Sequence, residues 1–146
     1  MPKVVQQVSM AVPADALRRA IIDFEKYPEF LSEVVSARAH EKKSDGTQRV
    51  DFEIEVVKRF KYTLEFDLGE KHDLKWRLID SNFFTANEGS WQLTPAGDKK
   101  TDVVYSLDVG VKFLVPGFIA KKLTEVSLPK LLENFEARAK KMKGKA

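Results

Sequence analysis

The segment Val50-Asp51-Phe52-Glu53-Ile54-Glu55-Val56 alternates apolar and acidic side chains without interruption. Successive side chains of a β-strand point to opposite faces of the sheet, so this pattern predicts a strand with one buried face and one face in water. The same period of two returns in residues 62–68, 74–78 and 103–111, where every second side chain is apolar. Together these segments predict an antiparallel sheet that is covered on one face only.

Weaker signals extend the sheet in both directions along the chain. Proline removes a backbone donor from a strand, and an Asp-Gly pair tolerates the positive φ angles of a tight hairpin turn. With these signals we predict seven strands in all. The additional elements are a strand at Val4–Val12 that Pro13 ends, a strand at Val34–Glu41, a hairpin turn at Asp45-Gly46, a turn at Gly69–Asp73, a strand that includes Trp91 and Leu93, and a turn at Pro95–Asp98.

Two other regions have helical periodicity. Apolar residues recur every three or four positions between Leu17 and Phe24, which predicts a first helix that starts at Pro13 and ends at Pro28. A short second helical turn is predicted at Glu29–Glu33. Residues 116–142 carry one apolar stripe at helical spacing and predict a long terminal helix, in which Pro129 predicts a kink.

This terminal helix is the only predicted element long enough to cover the apolar face of the sheet. A helix is only about 10–12 Å across, whereas a twisted seven-stranded sheet is much broader, so we expect a cavity between them. The same spacing is also typical of an ordinary core that is filled by its own side chains. The predicted lining consists of Phe52, Ile54, Tyr62, Leu64, Phe66, Trp76, Trp91, Tyr105, Leu107 and Val109 from the sheet, with Leu123, Leu131 and Phe135 from the helix.

Composition limits the classes of function. The 146 residues correspond to a single domain, residues 1–146, and contain no cysteine, which excludes thiol catalysis, disulfides and thiolate metal sites. No apolar run approaches the roughly 20 residues of a membrane span, and we expect a cytoplasmic protein. The net charge of +3 depends on the last nine residues, because residues 1–137 hold 20 basic and 22 acidic side chains.

The basic residues of this C-terminal segment, residues 138–146, allow three interpretations. They could solubilise the chain end, contact an anionic membrane, or contact RNA or the ribosome. The segment has no aromatic residue for base stacking, and we expect no DNA partner. The five cations are Arg138, Lys140, Lys141, Lys143 and Lys145.

No catalytic motif is recognisable in the sequence. The two histidines, His40 and His72, have no partner at metal-ligand spacing, so we expect no metal and no cofactor. The acids of the alternating strands lie on the face opposite the apolar stripe, which leaves Tyr62 and Tyr105 as the ionisable groups of the predicted cavity. Their hydroxyl groups could donate hydrogen bonds to a ligand carbonyl, but a phenol with a pKa near 10 is a weak base. We therefore expect binding rather than catalysis.

The segment Asp23-Phe24-Glu25-Lys26-Tyr27-Pro28-Glu29-Phe30-Leu31 resembles the START-like, helix-grip superfamily. The stretches Val12-Pro13-Ala14, Gly89-Ser90-Trp91 and Val115-Pro116-Gly117-Phe118 are similar to it as well, so the resemblance covers nearly the whole chain. It implies an α+β helix-grip fold, in which a strand, two short helices, six strands and a long C-terminal helix enclose a hydrophobic cavity.

Several functions occur on this fold, since the superfamily includes coenzyme Q-binding START proteins, polyketide cyclases/dehydrases and the ribosome-association toxin group. The resemblance and the apolar inner face together favour binding of a hydrophobic small molecule such as a lipid, an isoprenoid quinone or a polyketide. The alternatives are a cyclase/dehydrase-type enzyme and a module that binds the ribosome or another protein.

Overall fold

The computed structural model describes residues 3–56, 58–68, 72–82, 84–111 and 128–143. The predicted order of elements is confirmed there. The elements are β1 (Lys3–Met10), α1 (Ala14–Ile22), a 3₁₀ helix (Phe24–Glu29), β2 (Val34–Ala39), β3 (Thr47–Val56), β4 (Lys58–Asp67), β5 (Asp73–Ser81), β6 (Phe84–Pro95), β7 (Thr101–Val111) and α2 (Leu128–Lys143).

The seven strands form one antiparallel sheet in the order β1-β7-β6-β5-β4-β3-β2. Strands β2 to β7 follow one another as a meander, and β1 joins the sheet beside β7. The predicted hairpin between β2 and β3 is present, with Gly46 at a φ of 87°. Asp45 supports this turn by accepting a hydrogen bond from the Thr47 backbone N–H at 3.0 Å.

The predicted boundaries of the first two helices are wrong. Helix α1 ends at Ile22, well before Pro28, and the 3₁₀ helix takes the place of the turn that the sequence predicts at Glu29–Glu33. The chain leaves helical geometry at Asp23, where ψ is 61°. Pro28 lies inside the 3₁₀ helix instead of ending the first helix.

Tyr27 explains this early break. Its hydroxyl donates a hydrogen bond of 2.5 Å to the backbone oxygen of Ile21, one of the carbonyls that the end of α1 leaves without a partner. The change of direction at Asp23 also allows Phe24 and Tyr27 to be buried together, with ring centroids 5.8 Å apart. A side chain that caps the helix from six positions further along the chain is not visible in apolar periodicity.

Helix α2 packs against α1, and its Phe135 ring also contacts the sheet and the region of the 3₁₀ helix. Leu132, Phe135 and Ala139 are buried there, and the Phe135 ring lies 5.3 Å from Tyr27 and 5.1 Å from Phe30, centroid to centroid. The predicted helical residues 116–127 and the predicted kink, which depends on them, lie outside the described residues. No helix that the structure describes is both long and apolar enough to cross a membrane.

Arg138 is engaged within the protein instead of being free at its surface. Its Nη2 atom lies 2.9 Å from Oε1 of Glu29, and its guanidinium carbon lies 5.3 Å from the centre of the Phe30 ring. These contacts join α2 to the 3₁₀ helix, and only 20% of the Arg138 side chain is exposed. Arg138 is therefore already paired within the protein, and its part in an anionic-surface contact stays a prediction.

The other cations of the C-terminal segment make fewer contacts with the rest of the protein, or lie outside the described residues. Lys140 lies on the surface of α2, where its Nζ is 3.4 Å from Oε2 of Glu136, and Lys141 is exposed. Lys145 and the side chain of Lys143 lie outside the described residues. The contact with a membrane or the ribosome stays a prediction.

Candidate functional site

A cavity of about 190 Å³ lies between the inner face of the sheet, the 3₁₀ helix and α2. Every predicted lining residue that the structure describes borders it, while Leu123 lies outside the described residues. The predicted residues that border the cavity are Phe52, Ile54, Tyr62, Leu64, Phe66, Trp76, Trp91, Tyr105, Leu107, Val109, Leu131 and Phe135. The sheet and the helix are therefore not packed together over their whole common surface.

Irregular strand pairing gives the sheet the curvature that this cavity requires. The pairing register shifts between Val34 and Ser36 and between Thr63 and Leu64, and bulges of this kind bend a strand and increase its twist. In addition, β5 pairs with β6 only from Asp73 to Trp76. Beyond this point no ladder pairs join the described residues of the two strands, which are linked at their hairpin end by a hydrogen bond of 2.8 Å from the Phe84 backbone N–H to the Ser81 hydroxyl.

Aromatic rings connect the walls of the cavity. Trp91 lies 4.8 Å from Tyr105 on the neighbouring strand and 5.0 Å from Phe135 on α2, centroid to centroid, with both pairs edge-on. On the other side, the Phe52 and Tyr62 rings are stacked at 5.4 Å. Such ring pairs contribute about 0.5–1.5 kcal/mol each beyond simple burial, so they hold the walls in defined positions.

The polar groups of the lining fall into two kinds. The indole N–H of Trp76 donates a hydrogen bond of 3.1 Å to Oδ1 of Asn87, and the Tyr27 hydroxyl donates one to the backbone oxygen of Ile21. These groups already have partners within the protein. By contrast, the hydroxyl groups of Tyr62 and Tyr105 have no hydrogen-bond partner among the described residues. Two phenol groups are therefore free to bind a molecule inside the cavity.

Burial raises the pKa of all three tyrosines of the chain. Desolvation is the main cause, and for Tyr105 the charge that Tyr62 would carry adds to it. The pKa of Tyr27 is raised in addition by the charges that Tyr105 and Tyr62 would carry and by Asp23. Tyr62 borders the cavity and is half-buried, whereas Tyr27 and Tyr105 are buried.

An alkaline titration should show this burial directly. A phenol whose pKa is higher in the folded than in the unfolded state contributes stability that is complete below a pH of about 10, and this stability is lost as the pH rises further. We expect tyrosinate absorbance near 295 nm to stay low above pH 10 and then to rise together with the loss of near-UV circular dichroism. A gradual rise in the folded protein, completed before unfolding, would contradict the buried placement.

The acids of the alternating strands lie on the outer face, as predicted. Asp51 accepts a hydrogen bond of 2.7 Å from the Thr63 hydroxyl and lies 2.8 Å from Nε2 of His40. Glu53 and Glu55 pair with Arg59 at 3.1 and 3.0 Å. The acids that would have indicated a catalytic pair inside the cavity are thus engaged outside it.

The part of the chain that the structure describes contains no metal-binding cluster, and His40 lies outside the cavity. His40 is on the surface beside Asp51, with 44% of its side chain exposed. Within the described ranges, no group of three or more histidine, aspartate or glutamate side chains is placed to hold a metal ion.

Sequence reasoning missed several lining residues, of which Tyr27, Asn87 and Glu33 carry polar groups. Tyr27 belongs to the stretch that carries the superfamily resemblance, but its predicted place near a helix end gave no reason to put it inside. Asn87 lies where β6 has no apolar alternation, and Glu33 precedes β2 in a turn. Only the tertiary structure brings these three residues to the cavity.

The comparison with protein families decides the classification. Residues 10–136 match the model of the family described as polyketide cyclase / dehydrase and lipid transport. The chain belongs to this family. A search of curated proteins found no match to the sequence.

Solved structures of a START superfamily protein, an aromatase/cyclase and a lipid transfer protein share the fold. A START superfamily protein from Mycobacterium smegmatis superimposes with a TM-score of 0.84 at 24% identity, over 96% of this chain and 98% of that one. The ZhuI aromatase/cyclase from Streptomyces sp. R1128 gives a TM-score of 0.79 at 17% identity, over 95% and 93%. A STAR-related lipid transfer protein from Xanthomonas axonopodis gives 0.74 at 15%, over 94% and 85%. At these identities the similarity shows the fold.

Proposed function

We propose that this family member binds a hydrophobic small molecule in the cavity between the sheet and α2, and that a lipid, an isoprenoid quinone or a polyketide is the class of ligand. The single observation that carries the proposal is the unfilled space behind the aromatic walls. The family description and the fold support it, because both lipid transport and polyketide chemistry require an apolar molecule to be held by the protein.

The volume of the cavity indicates what fits. An apolar cavity of about 150 Å³ is enough to admit benzene, whereas pockets for drug-sized ligands measure roughly 300–1,000 Å³. At about 190 Å³, the space suits a ring or the ring-bearing end of a longer molecule. The free phenols of Tyr62 and Tyr105 would then meet oxygen atoms of that ring.

Tryptophan fluorescence offers a direct assay, since Trp76 and Trp91 are the only tryptophans of the chain and both border the cavity. We expect 1,4-naphthoquinone, a fluorescence quencher, to quench the tryptophan emission of the protein in a saturable manner. It should also raise the melting temperature of the protein. Native mass spectrometry of protein purified from cells should show retained apolar mass. No retained mass, no saturable quenching and no thermal shift with quinones or fatty acids would contradict the proposal.

A cavity-filling variant separates binding in the cavity from binding elsewhere. Leu107→Phe adds ring volume at a half-buried lining residue and should abolish saturable quenching in a protein that still unfolds cooperatively. Val5→Phe is the matched control, because Val5 is 51% exposed and borders no part of the cavity. Equal quenching in both variants would place the bound quinone outside the cavity.

A further inference from the structure

We infer that the cavity selects neutral guests that carry hydrogen-bond acceptors, and discriminates against both anions and plain hydrocarbons of the same shape. This inference rests on the proposed function, since it assigns the chemical class of the guest. It follows from the donors of the lining, from the orientation of one amide, and from the charges at the cavity.

The first observation concerns Asn87, which is only 8% exposed. An indole N–H can only donate, so the Asn87 atom that faces Trp76 must be the carbonyl oxygen. The amide NH₂ is then directed away from Trp76, and it has no hydrogen-bond partner among the described residues. Trp76 thereby leaves the NH₂ group of Asn87, a residue that borders the same cavity, as an unpaired donor.

The hydroxyl groups of Tyr62 and Tyr105 add two donors to the same space. Both rings border the cavity, and both hydroxyl groups lack a protein partner within the described ranges. A phenol is protonated at neutral pH even at its ordinary pKa near 10, and burial raises the pKa of both groups further, so they present O–H groups rather than phenolate oxygens. Three residues that border the cavity thus carry unpaired donors, and a guest with oxygen acceptors would satisfy them.

A hydrocarbon of the same shape would leave these donors without water and without a partner. A buried donor that loses its partner costs more than an average hydrogen bond gains, and sites built from such groups reject analogues that lack the matching atom. The donors therefore disfavour a purely apolar guest, although the walls themselves are apolar.

The charges at the cavity disfavour an anion. The lining residues that the structure describes include no lysine or arginine, while Glu33 is the acidic residue among them and has no ion pair with any described residue. A guest carboxylate would lose its hydration without gaining a counter-charge and would be repelled by Glu33. Neutral carbonyl, ether or hydroxyl groups do not carry this cost.

Three probes with one carbon skeleton test the inference: 1,4-naphthoquinone, naphthalene and 2-naphthoate, each measured by equilibrium dialysis against the full chain. We expect naphthoquinone to bind at least tenfold more tightly than either of the others. In the double variant Tyr62→Phe/Tyr105→Phe, naphthoquinone affinity should fall by about fivefold or more, whereas naphthalene affinity should stay equal or increase. This variant removes no hydrogen bond that the structure shows, so it should remain folded.

The charge contribution is tested separately with Glu33→Gln. This change should raise 2-naphthoate affinity by about two- to fivefold and leave naphthoquinone affinity unchanged. Glu88→Gln is the matched control, since it alters net charge equally at an exposed residue of β6 outside the cavity, and it should change neither affinity.

Equal affinities for naphthoquinone and naphthalene, or an equal loss of both in the tyrosine variant, would overturn the inference and leave the proposed function standing. A preference for 2-naphthoate would overturn it as well. Failure of all three probes to bind would overturn the proposed function and the inference together.

Discussion

Replacing Trp91 with alanine should lower the free energy of unfolding by about 3–5 kcal/mol, the range observed when large buried aromatic residues are truncated. Trp91 is 3% exposed and lies edge-on to Tyr105 of β7 and to Phe135 of α2. The substitution therefore removes apolar burial and two ring contacts at once, and it enlarges the space that already separates sheet and helix. The contact between the sheet and α2 should weaken most.

Urea denaturation followed by far-UV circular dichroism measures this effect. Gln92→Ala is a suitable control, because Gln92 is the next residue of β6 but is exposed, and its change should stay within about 0.5 kcal/mol. Trp91→Phe keeps an aromatic ring and should cost less than the alanine variant. A loss below 1 kcal/mol for Trp91→Ala would show that Trp91 does not connect the sheet to α2 as described.

Gly89→Ala should lower the free energy of unfolding by an amount at the upper end of the roughly 1–3 kcal/mol that is typical of overpacking. A methyl group at Gly89 would meet the backbone oxygen of Ser106 and would come within 2.5 Å of the Trp76 ring. The backbone oxygen cannot move without breaking the pairing of β6 with β7. The Trp76 ring would have to shift away from Asn87 as well.

Gly110→Ala provides the matched control for this prediction. It adds the same methyl group to β7, but its closest neighbour is the side-chain oxygen of Thr85, which can rotate away. We expect a clearly smaller loss of stability for Gly110→Ala, together with an unchanged near-UV circular dichroism spectrum. Gly89→Ala should alter that spectrum through Trp76. Equal stability of the two variants would contradict the close packing of Trp76 on β6.

The strands were predictable because one face of each strand is buried and the other is exposed, so apolar and polar side chains alternate with a period of two. In the segment that opens with Val50, the buried side chains Phe52 and Ile54 and the outward acids follow that period without exception. The beginning of β6 was harder to predict. Its register shifts between Phe84 and Ala86, and Asn87 is turned inward although it is polar.

The helix boundaries could not be read from the same pattern. Apolar spacing continues through Phe24, so it predicts a helix up to Pro28, whereas the Tyr27 hydroxyl ends α1 by bonding to Ile21. This bond depends on where the chain turns after Asp23, which is a property of the packed state. The spacing of apolar residues along the chain predicts which residues are buried, but it does not predict which side chain caps the end of a helix.

The amino-acid sequence by itself determined the seven antiparallel strands, the apolar side chains that face inward from them, and the position of Asp51 and Glu53 on the outer face, because each of these depends on the alternation along one strand. The tertiary structure decided that the interior keeps about 190 Å³ of space and that Tyr27, Glu33 and Asn87 border it. The physical reason is that volume depends on the curvature of the whole sheet and on its distance from α2. The alternation within a single segment predicts neither the curvature of the sheet nor its distance from α2.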